Sequence, residues 1–207
     1  TEGVCHPILL GNADIIKSRA EELGVSLEGI EIVNPREYSE RERRERYAKI
    51  LVEKNPRKGF AYRDTYEKMY GRNWFGCMMV ETGDADAFIA GTYSNDSSIP
   101  NIAKDVIGIR PGFNTFATLH IINTPNRGIM FVADTMINKH IDKETLIDIT
   151  RLTKGAVEYY SFDPVIAMLS YSNFGSEEGA GESSPKMVSE AVAQLHELYP
   201  ELCVDGE

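Results

Sequence analysis

The sequence DPVIAMLSYSNFGS, residues 163–176, joins an apolar run to a polar loop that contains glycine. Residues 165–169 contain no polar side chain, which is typical of a parallel strand buried on both faces by helices. In parallel sheets the ligand crevice lies beyond the carboxyl ends of the strands. The loop would supply that crevice with small polar groups from Ser170, Ser172, Asn173, Gly175 and Ser176. Taken alone, the pattern fits an ordinary connection between a strand and a helix equally well.

A second segment, GDADAFIAGTYSND at residues 83–96, repeats this design. Residues 87–90 are apolar and predict a strand, and Gly91, Thr92 and Ser94 lie in the polar loop that follows. Because the carboxyl ends of parallel strands meet at one edge of a sheet, we expect the two loops to line one crevice.

The third candidate is the start of the helix predicted from Ser184, with Pro185 at its first position and Lys186 in its first turn. Helix dipole, free amides and an ammonium group favour an anion there, such as a phosphate of a ligand. A plain Ser-Pro helix start explains these residues equally well. The preceding loop contains three glycines, but its three glutamates disfavour phosphate binding by repulsion.

Strands alternate with helices along the chain, which predicts an α/β fold of three layers, α/β/α, with a mainly parallel sheet. Asn12 and Asp142 each precede an amphipathic segment and predict helix N-caps. Ser39 and Glu42 predict a capping box for a helix over residues 39–53, with Glu40–Arg44 and Glu42–Arg46 pairs on a solvated face. Pro125-Asn126-Arg127-Gly128 predicts the turn of one antiparallel hairpin.

Composition limits the function classes. The chain has 207 residues, 42% hydrophobic and 26% charged, and a formal charge of −10. A negative surface disfavours nucleic acid and anionic membranes as partners. No apolar run approaches the ~20 residues of a membrane span. Cys5, Cys77 and Cys203 are odd in number and widely spaced, which favours reduced thiols and a cytoplasmic location.

Two groups of polar residues could either bind a metal or serve as structural caps. Asp84 and Asp86 resemble a divalent-metal motif, but they lie at the start of the predicted strand, so we interpret them as a turn and strand cap and predict no metal site. A general base or metal ligand could also come from a polar cluster, Asp134, Asn138, His140 and Asp142. A histidine in a polar loop is more often only that, and the catalytic residues stay unassigned. No nucleophile elbow, P-loop or zinc-binding HExxH helix occurs in the sequence.

Several segments together resemble the phosphate acetyl/butyryltransferase family: residues 83–96, NTPNRGIMFVADTMIN at 123–138 and the terminal CVDGE at 203–207. Phe174 within SNFGS and the sequence ADTMIN at 133–138 are most similar to the variant of this domain on the C-terminal side of bacterial NADP-dependent malic enzymes. The resemblance covers nearly the whole chain. It implies the phosphotransacetylase-like fold, which is related to the fold of isocitrate and isopropylmalate dehydrogenases.

The resemblance also implies a function. The expected role is an oligomerisation and regulatory domain that responds to acetyl-CoA or a related acyl-CoA and has no cofactor of its own. NADP and a divalent metal would belong to a malic-enzyme catalytic domain before Thr1. The chain lacks an initial methionine and stops just after a strand, so we expect residues 1–207 to be a partial domain of a longer protein. Resembling domains pair with a second copy, so a homo-oligomer is expected.

The alternative is a working phosphate acetyltransferase, which moves an acetyl group between coenzyme A and phosphate. The resemblance implies a catalytic Ser-Arg-Gly segment beyond Glu207. It also implies two phosphate-binding arginines, at the positions that Asn55 and Asn101 occupy in this chain. Arg57, Lys58 and Arg110 are nearby in the sequence and could take over that role.

Overall fold

A computed structural model describes residues 3–91, 98–135, 137–173 and 184–207. The chain divides into two compact units, Thr1–Gly108 and Ile109–Glu207. No helix within the described ranges is long and apolar enough to span a membrane.

The first unit begins with strand β1 (Ile8–Leu10), helix α1 (Ala13–Glu22) and strand β2 (Glu31–Val33), and the two strands pair in parallel. Asn12 caps α1 as predicted, since its side chain accepts a hydrogen bond of 3.0 Å from the amide of Ile15. A short 3₁₀ helix (Tyr38–Glu40) then leads into four α-helices. They are α2 (Arg41–Lys54), α3 (Tyr62–Lys68), α4 (Arg72–Glu81) and α5 (Ser98–Val106).

The core of the first unit lies where α2, α4 and α5 meet. Tyr47, Leu51, Phe75 and Met78 are fully buried there, and Cys77 of α4 is only 3% exposed. These side chains recur at helical spacing, so each helix has one apolar face turned inward.

The second unit consists of an antiparallel hairpin and a βαβ arrangement. Strands β3 (Leu119–Thr124) and β4 (Gly128–Ala133) form the predicted hairpin, with Ile121 opposite Phe131. Helix α6 (Lys143–Tyr159), strand β5 (Val165–Met168), helix α7 (Ser184–Leu198) and strand β6 (Cys203–Gly206) follow. β5 and β6 pair in parallel. Their core contains Ile147, Met168, Leu195 and Val204, all buried.

The α/β class, the parallel pairing and the hairpin are therefore confirmed. Within the described residues the strands form three two-stranded sheets, β1–β2, β3–β4 and β5–β6. Asp142 is the N-cap of α6 as expected, because its Oδ1 accepts a hydrogen bond of 2.8 Å from the amide of Thr145.

The predicted strand at residues 87–90 is wrong, because these residues belong to no strand of the described chain and Ile89 is 94% exposed. The prediction that residues 165–169 are buried on both faces is also wrong. Val165 is 79% exposed and Leu169 is 84% exposed, whereas Met168 is buried. An apolar run predicts that a segment packs against something, but it does not identify a partner for both of its faces.

The capping box is wrong as well. Ser39 lies inside the 3₁₀ helix, the N-cap of α2 is Glu40, and no side chain caps this helix end. The amide of Arg41 instead donates to the carbonyl of Tyr38, so a backbone turn replaces the side-chain cap.

The charge pairs predicted on α2 also differ from those observed. Glu40 pairs with Arg43 at 3.3 Å, and Arg46 pairs with Asp84 rather than with Glu42. Arg44 is buried, and its guanidinium donates to the carbonyls of Pro35 at 2.5 Å and Glu37 at 2.7 Å. These backbone acceptors lie outside α2, so a pattern confined to the helix cannot reveal them.

Candidate functional site

The serines that follow β5 lie where the sequence predicts them, directly after the carboxyl end of the strand. Met168 is buried at the end of β5, and Ser170 and Ser172 are partly buried just beyond it. Their hydroxyl oxygens are 3.2 Å apart, and the amide of Ser172 donates to Oγ of Ser170. The strand end therefore presents two neighbouring hydroxyls, and Asn173 follows them in an exposed position.

Gly206 allows β6 to approach this strand end closely. A Cβ atom at Gly206 would lie 2.3 Å from the carbonyl oxygen of Met168 and 2.7 Å from its Cβ. Any side chain at this position would displace the last pair of the ladder, Met168 and Gly206. Sequence reasoning missed this residue, although a glycine inside a strand is a known signal of close backbone approach.

The sequence predicts Ser184 as the N-cap and Pro185 as the first helical residue, whereas α7 begins at Ser184 itself. Pro185 in its first turn is fully buried. The buried ring fixes the helix start against the core of the second unit. Ser184 is partly buried and Lys186 is exposed. The first turn of α7 thus has the hydroxyl, the amides and the ammonium group that anion binding requires.

Gly91 lies in the first unit and has φ +111°, a backbone conformation that favours glycine. A Cβ at Gly91 would be 3.9 Å from Cδ1 of Ile99 in α5, so Gly91 lies close to the start of that helix. Four of the predicted site residues lie outside the described ranges: Thr92, Ser94, Gly175 and Ser176. Gly91 belongs to one unit and the serines to the other, and their meeting in one crevice stays a prediction.

Asn55, at the position of the first expected arginine, connects two helices in this chain. The side-chain Nδ2 of Asn55 donates to the backbone carbonyls of Leu51 and Asp105, both at 3.2 Å. Lys58 forms an ion pair with the Asp105 carboxylate at 3.2 Å. These contacts join the C-terminal ends of α2 and α5.

None of the hydrogen bonds and ion pairs described for Asn55 involves the second expected arginine position, Asn101, or the nearby Arg57 and Arg110. Asn101 is exposed on α5, and Arg57 is exposed after α2. Arg110 belongs to the second unit, where its Nη1 lies near Gly155 of α6. Within the first unit the described side chains around Asn55 therefore form a joint between helices, with Lys58 already paired.

Asp84 of the Gly-Asp-Ala-Asp sequence receives hydrogen bonds from Tyr47 and Arg46. Burial and the Asp84 hydrogen bond raise the pKa of Tyr47 to about 12. Burial acts to raise the pKa of Asp84, but the bond from Tyr47 and the charge of Arg46 outweigh it and lower that pKa. Gly83 has φ +75°, so the predicted turn is present, although the strand it was expected to cap is not.

Two members of the second carboxylate grouping meet at the base of the hairpin. Oδ2 of Asp134 accepts hydrogen bonds from the backbone and side-chain nitrogens of Asn138, at 3.2 and 2.8 Å. Asn138 in turn donates to the carbonyl of Phe116 and accepts from Thr115. Asp142 caps α6, and His140 is exposed. Across the described ranges, no three histidine, cysteine, aspartate or glutamate side chains are grouped as metal ligands.

The model of the phosphate acetyl/butaryl transferase family matches residues 1–207 of this chain. The chain is 32% identical to the NADP-dependent malic enzyme of Escherichia coli, over all of this chain and 27% of that protein. It is 31% identical to the phosphate acetyltransferase of Bacillus subtilis, over 99% of this chain and 61% of that protein. The chain therefore spans about a quarter of the first relative and about three fifths of the second.

Solved structures give the same fold. A phosphotransacetylase from Streptococcus pyogenes superposes with a TM-score of 0.80 at 28% identity, covering all of this chain and 61% of that one. The fold expected from the sequence is thereby confirmed.

Proposed function

The chain belongs to the phosphate acetyl/butaryl transferase family, and from this premise we propose that it is the regulatory and oligomerisation domain of an NADP-dependent malic enzyme. In this proposal the parent protein oxidises and decarboxylates malate to pyruvate and CO₂. Acetyl-CoA or a related acyl-CoA binds to the present domain and changes the rate of that reaction. NADP and the divalent metal act in the catalytic domain of the parent protein.

The observation that carries the proposal is the joint at Asn55. A phosphate acetyltransferase must hold inorganic phosphate, which requires cations or free donors aimed at the anion. Asn55 is neutral, and its amide donates to two carbonyls instead. Lys58 is paired with Asp105. The identity with a malic enzyme along the whole chain supports the same assignment.

An acyl-CoA needs groups of a different kind. Its thioester and pantetheine amides accept and donate single hydrogen bonds, and Ser170, Ser172 and Asn173 offer such groups at the end of β5. Its phosphates are anions, for which the start of α7 offers the Ser184 hydroxyl, the positive end of the helix dipole and the Lys186 ammonium group. In this proposal Gly91, Thr92 and Ser94 complete the crevice.

The test is malate oxidation by the full-length protein, followed as NADPH formation with and without acetyl-CoA. The proposal expects a change in rate that saturates with acetyl-CoA and is absent when free acetate replaces it. Ser170→Ala/Ser172→Ala should weaken the response to acetyl-CoA, while the rate without effector stays unchanged. Full-length protein that oxidises no malate, or that ignores acetyl-CoA, would contradict the proposal.

A phosphate acetyltransferase is the second candidate, because the chain spans 61% of the phosphate acetyltransferase of Bacillus subtilis, against 27% of the malic enzyme of Escherichia coli. Such an enzyme needs a base for the thiol and donors for the oxyanion. The measurement is release of free thiol from acetyl-CoA by the full-length protein with and without inorganic phosphate. Phosphate-dependent turnover above the enzyme-free rate would favour this candidate over the regulatory domain.

The oligomerisation role is supported by the hairpin of the second unit. Four of its aliphatic side chains are between 42% and 48% exposed: Ile121, Ile122, Ile129 and Met130. In the register of the hairpin, Ile122 and Met130 lie on one face and Ile121 and Ile129 on the other, and exposed apolar surface of this kind often marks an interface. Light scattering should give the mass of a dimer or larger assembly for the full-length protein, and a monomer at micromolar concentration would contradict this part of the proposal.

A further inference from the structure

Thr118 and Asp134 lie opposite each other at the base of the hairpin in the second unit. Leu119 and Ala133 form the last pair of the β3–β4 ladder at this end. One pair further on, the amide of Asp134 donates to the carbonyl of Thr118 at 2.8 Å. Residues opposed in this way have Cα atoms about 4.5–5.5 Å apart. The side chains of Thr118 and Asp134 therefore start from neighbouring points.

Each of these two residues has a buried side-chain oxygen that makes no hydrogen bond with the described part of the chain. The two atoms are Oγ1 of Thr118 and Oδ1 of Asp134. Leaving a buried polar atom without a partner is costly. In native proteins such atoms nearly always bind another protein group, an ordered water or an ion. Two of them on opposed residues therefore indicate one shared partner.

The Asp134 carboxylate is held in place by its other oxygen. Oδ2 accepts hydrogen bonds from the backbone and side-chain nitrogens of Asn138, at 3.2 and 2.8 Å. Asn138 is itself fixed, because it donates to the carbonyl of Phe116 and accepts from Oγ1 of Thr115, both at 3.0 Å. With Oδ2 bound in this way, the carboxylate has little freedom to turn Oδ1 towards another donor of the chain.

A water molecule suits these two oxygens better than a metal cation does. An ionised carboxylate oxygen only accepts hydrogen bonds, whereas a threonine hydroxyl donates and accepts. One water can donate to Oδ1 of Asp134 and also bond to the Thr118 hydroxyl, and buried waters make about two to four such bonds. Calcium and magnesium take about six or more oxygen ligands. Only two side-chain oxygens of the described chain lack a partner at this place.

We propose that one ordered water bridges Oδ1 of Asp134 and Oγ1 of Thr118 and closes the base of the hairpin. Through Asn138, the bridge joins both strands to residues 115 and 116, which precede β3. Asp134 then stabilises the fold and takes no part as a general base or metal ligand. The bridge involves only residues of the second unit and does not depend on the proposed acyl-CoA site.

A double-mutant cycle in the full-length protein tests the bridge. Thr118→Val removes the hydroxyl and keeps the shape of the side chain. Asp134→Gly removes the carboxylate at a residue with φ +48°, a conformation that glycine adopts readily. The control is Thr135→Val, the same substitution at an exposed neighbour of Asp134. The midpoint of thermal unfolding is measured for each variant, and for each threonine variant combined with Asp134→Gly.

Thr118→Val should lower the midpoint by about 3 °C, because it leaves Oδ1 of Asp134 without the bridge. In the Asp134→Gly background the same substitution should lower it by less than about 1 °C, since no carboxylate remains to share the water. Thr135→Val should change it by no more than about 1 °C in both backgrounds. A midpoint that Thr118→Val raises or leaves unchanged would overturn the proposal, as would an equal loss in both backgrounds.

Two measurements on the wild type identify the bridging group and do not require that Asp134→Gly folds. The unfolding midpoint is compared in sodium, potassium, calcium and choline chloride at equal ionic strength. A bridging water predicts equal midpoints, and a higher midpoint with one metal cation would overturn the proposal. A crystal structure that shows ordered water should contain a water peak within about 3 Å of Oδ1 of Asp134 and Oγ1 of Thr118. Absence of that peak would also overturn the proposal.

Discussion

Two segments with the same sequence design fold differently. In residues 83–91 and in residues 163–173, an apolar run is followed by small or polar residues. The second segment forms β5, which pairs with β6. The first forms no strand. Its start is held by the Asp84 side chain and by backbone hydrogen bonds to the Met79 carbonyl, and its end by the Phe88 ring, which packs against Gly76 of α4.

The difference lies in the partners, which are distant in sequence. β5 has β6, whose Gly206 admits the close approach of Met168 and whose Val204 carbonyl is hydrogen-bonded to His196. In the described part of the first unit, residues 87–90 pack through Phe88 against Gly76 of helix α4 and not against a strand. An apolar run therefore indicates that a segment packs, while the partner decides whether its backbone joins a sheet.

The largest expected effect is that of Gly206→Ala on the strand-held segment. The new Cβ would collide with the Met168 carbonyl, and overpacking of this kind costs about 3 kcal/mol of unfolding free energy. Urea unfolding monitored by circular dichroism measures the loss. Gly155→Ala is the control and should be neutral or slightly stabilising, because alanine is the better helix former. Equal stability of Gly206→Ala and wild type would show that the ladder does not hold this segment.

Tyr47→Phe tests the hydrogen bond that holds the start of residues 83–91. The variant removes the hydroxyl that donates to Asp84, and hydrogen bonds to charged groups contribute about 2 kcal/mol. The folded pKa of Tyr47 is raised to about 12, above the unfolded value of about 10. The contribution of this tyrosine is therefore present at neutral pH and is lost as pH rises from about 10 through the folded pKa.

The measurement for Tyr47→Phe is the unfolding free energy at neutral and alkaline pH. The variant should be less stable than the wild type at pH 7 and should lose less further stability on alkalinisation. Parallel pH profiles for the two proteins would contradict the interpretation.

Asp84→Asn should have a smaller effect, about 1 kcal/mol, because the amide retains a hydrogen-bond acceptor and loses only the charge opposite Arg46. The folded pKa of Asp84 is lowered. Its contribution is therefore present above the unfolded pKa of about 4 and is lost as pH falls through the folded value. Stability should fall less steeply with decreasing pH in the variant than in the wild type. An unchanged acid limb would show that Asp84 does not stabilise the fold.

The smallest effect is expected at the exposed positions of both segments. Ile89→Ser and Leu169→Ser should each change the unfolding free energy by less than about 0.5 kcal/mol, since surface substitutions rarely do more. Ile89 is 94% exposed and Leu169 is 84% exposed. A loss of 2 kcal/mol or more at Ile89, by the same urea titration, would mean that residues 87–90 are buried after all and would erase the difference between the segments.

Local signals in the sequence predicted much of the fold. Asn12 and Asp142 cap their helices, and Pro125–Gly128 turns the hairpin, because each acts on backbone groups within four residues. The predictions that were wrong depend on contacts outside the helix or strand in question. Arg44 bonds to carbonyls of the preceding loop, and the exposure of β5 depends on which elements cover it.

The candidate site was predictable to the same extent. Ser170, Ser172 and Ser184 lie at the strand end and helix start that their neighbours in sequence specify. Gly76 and Gly206 were missed because their role is to make room for Phe88 and Met168, and the sequence shows only the glycine. Glycines inside predicted helices and strands are the signal that would have found them.

The buried Cys77 gives the first unit a chemical reporter of its own opening. Burial raises the pKa of this thiol to about 11, so little reactive thiolate forms at neutral pH and bulky alkylating reagents cannot reach it. Cys5 and Cys203 are exposed and should label at once. The slow phase of alkylation would therefore report how often α4 opens at Cys77, without any engineered probe.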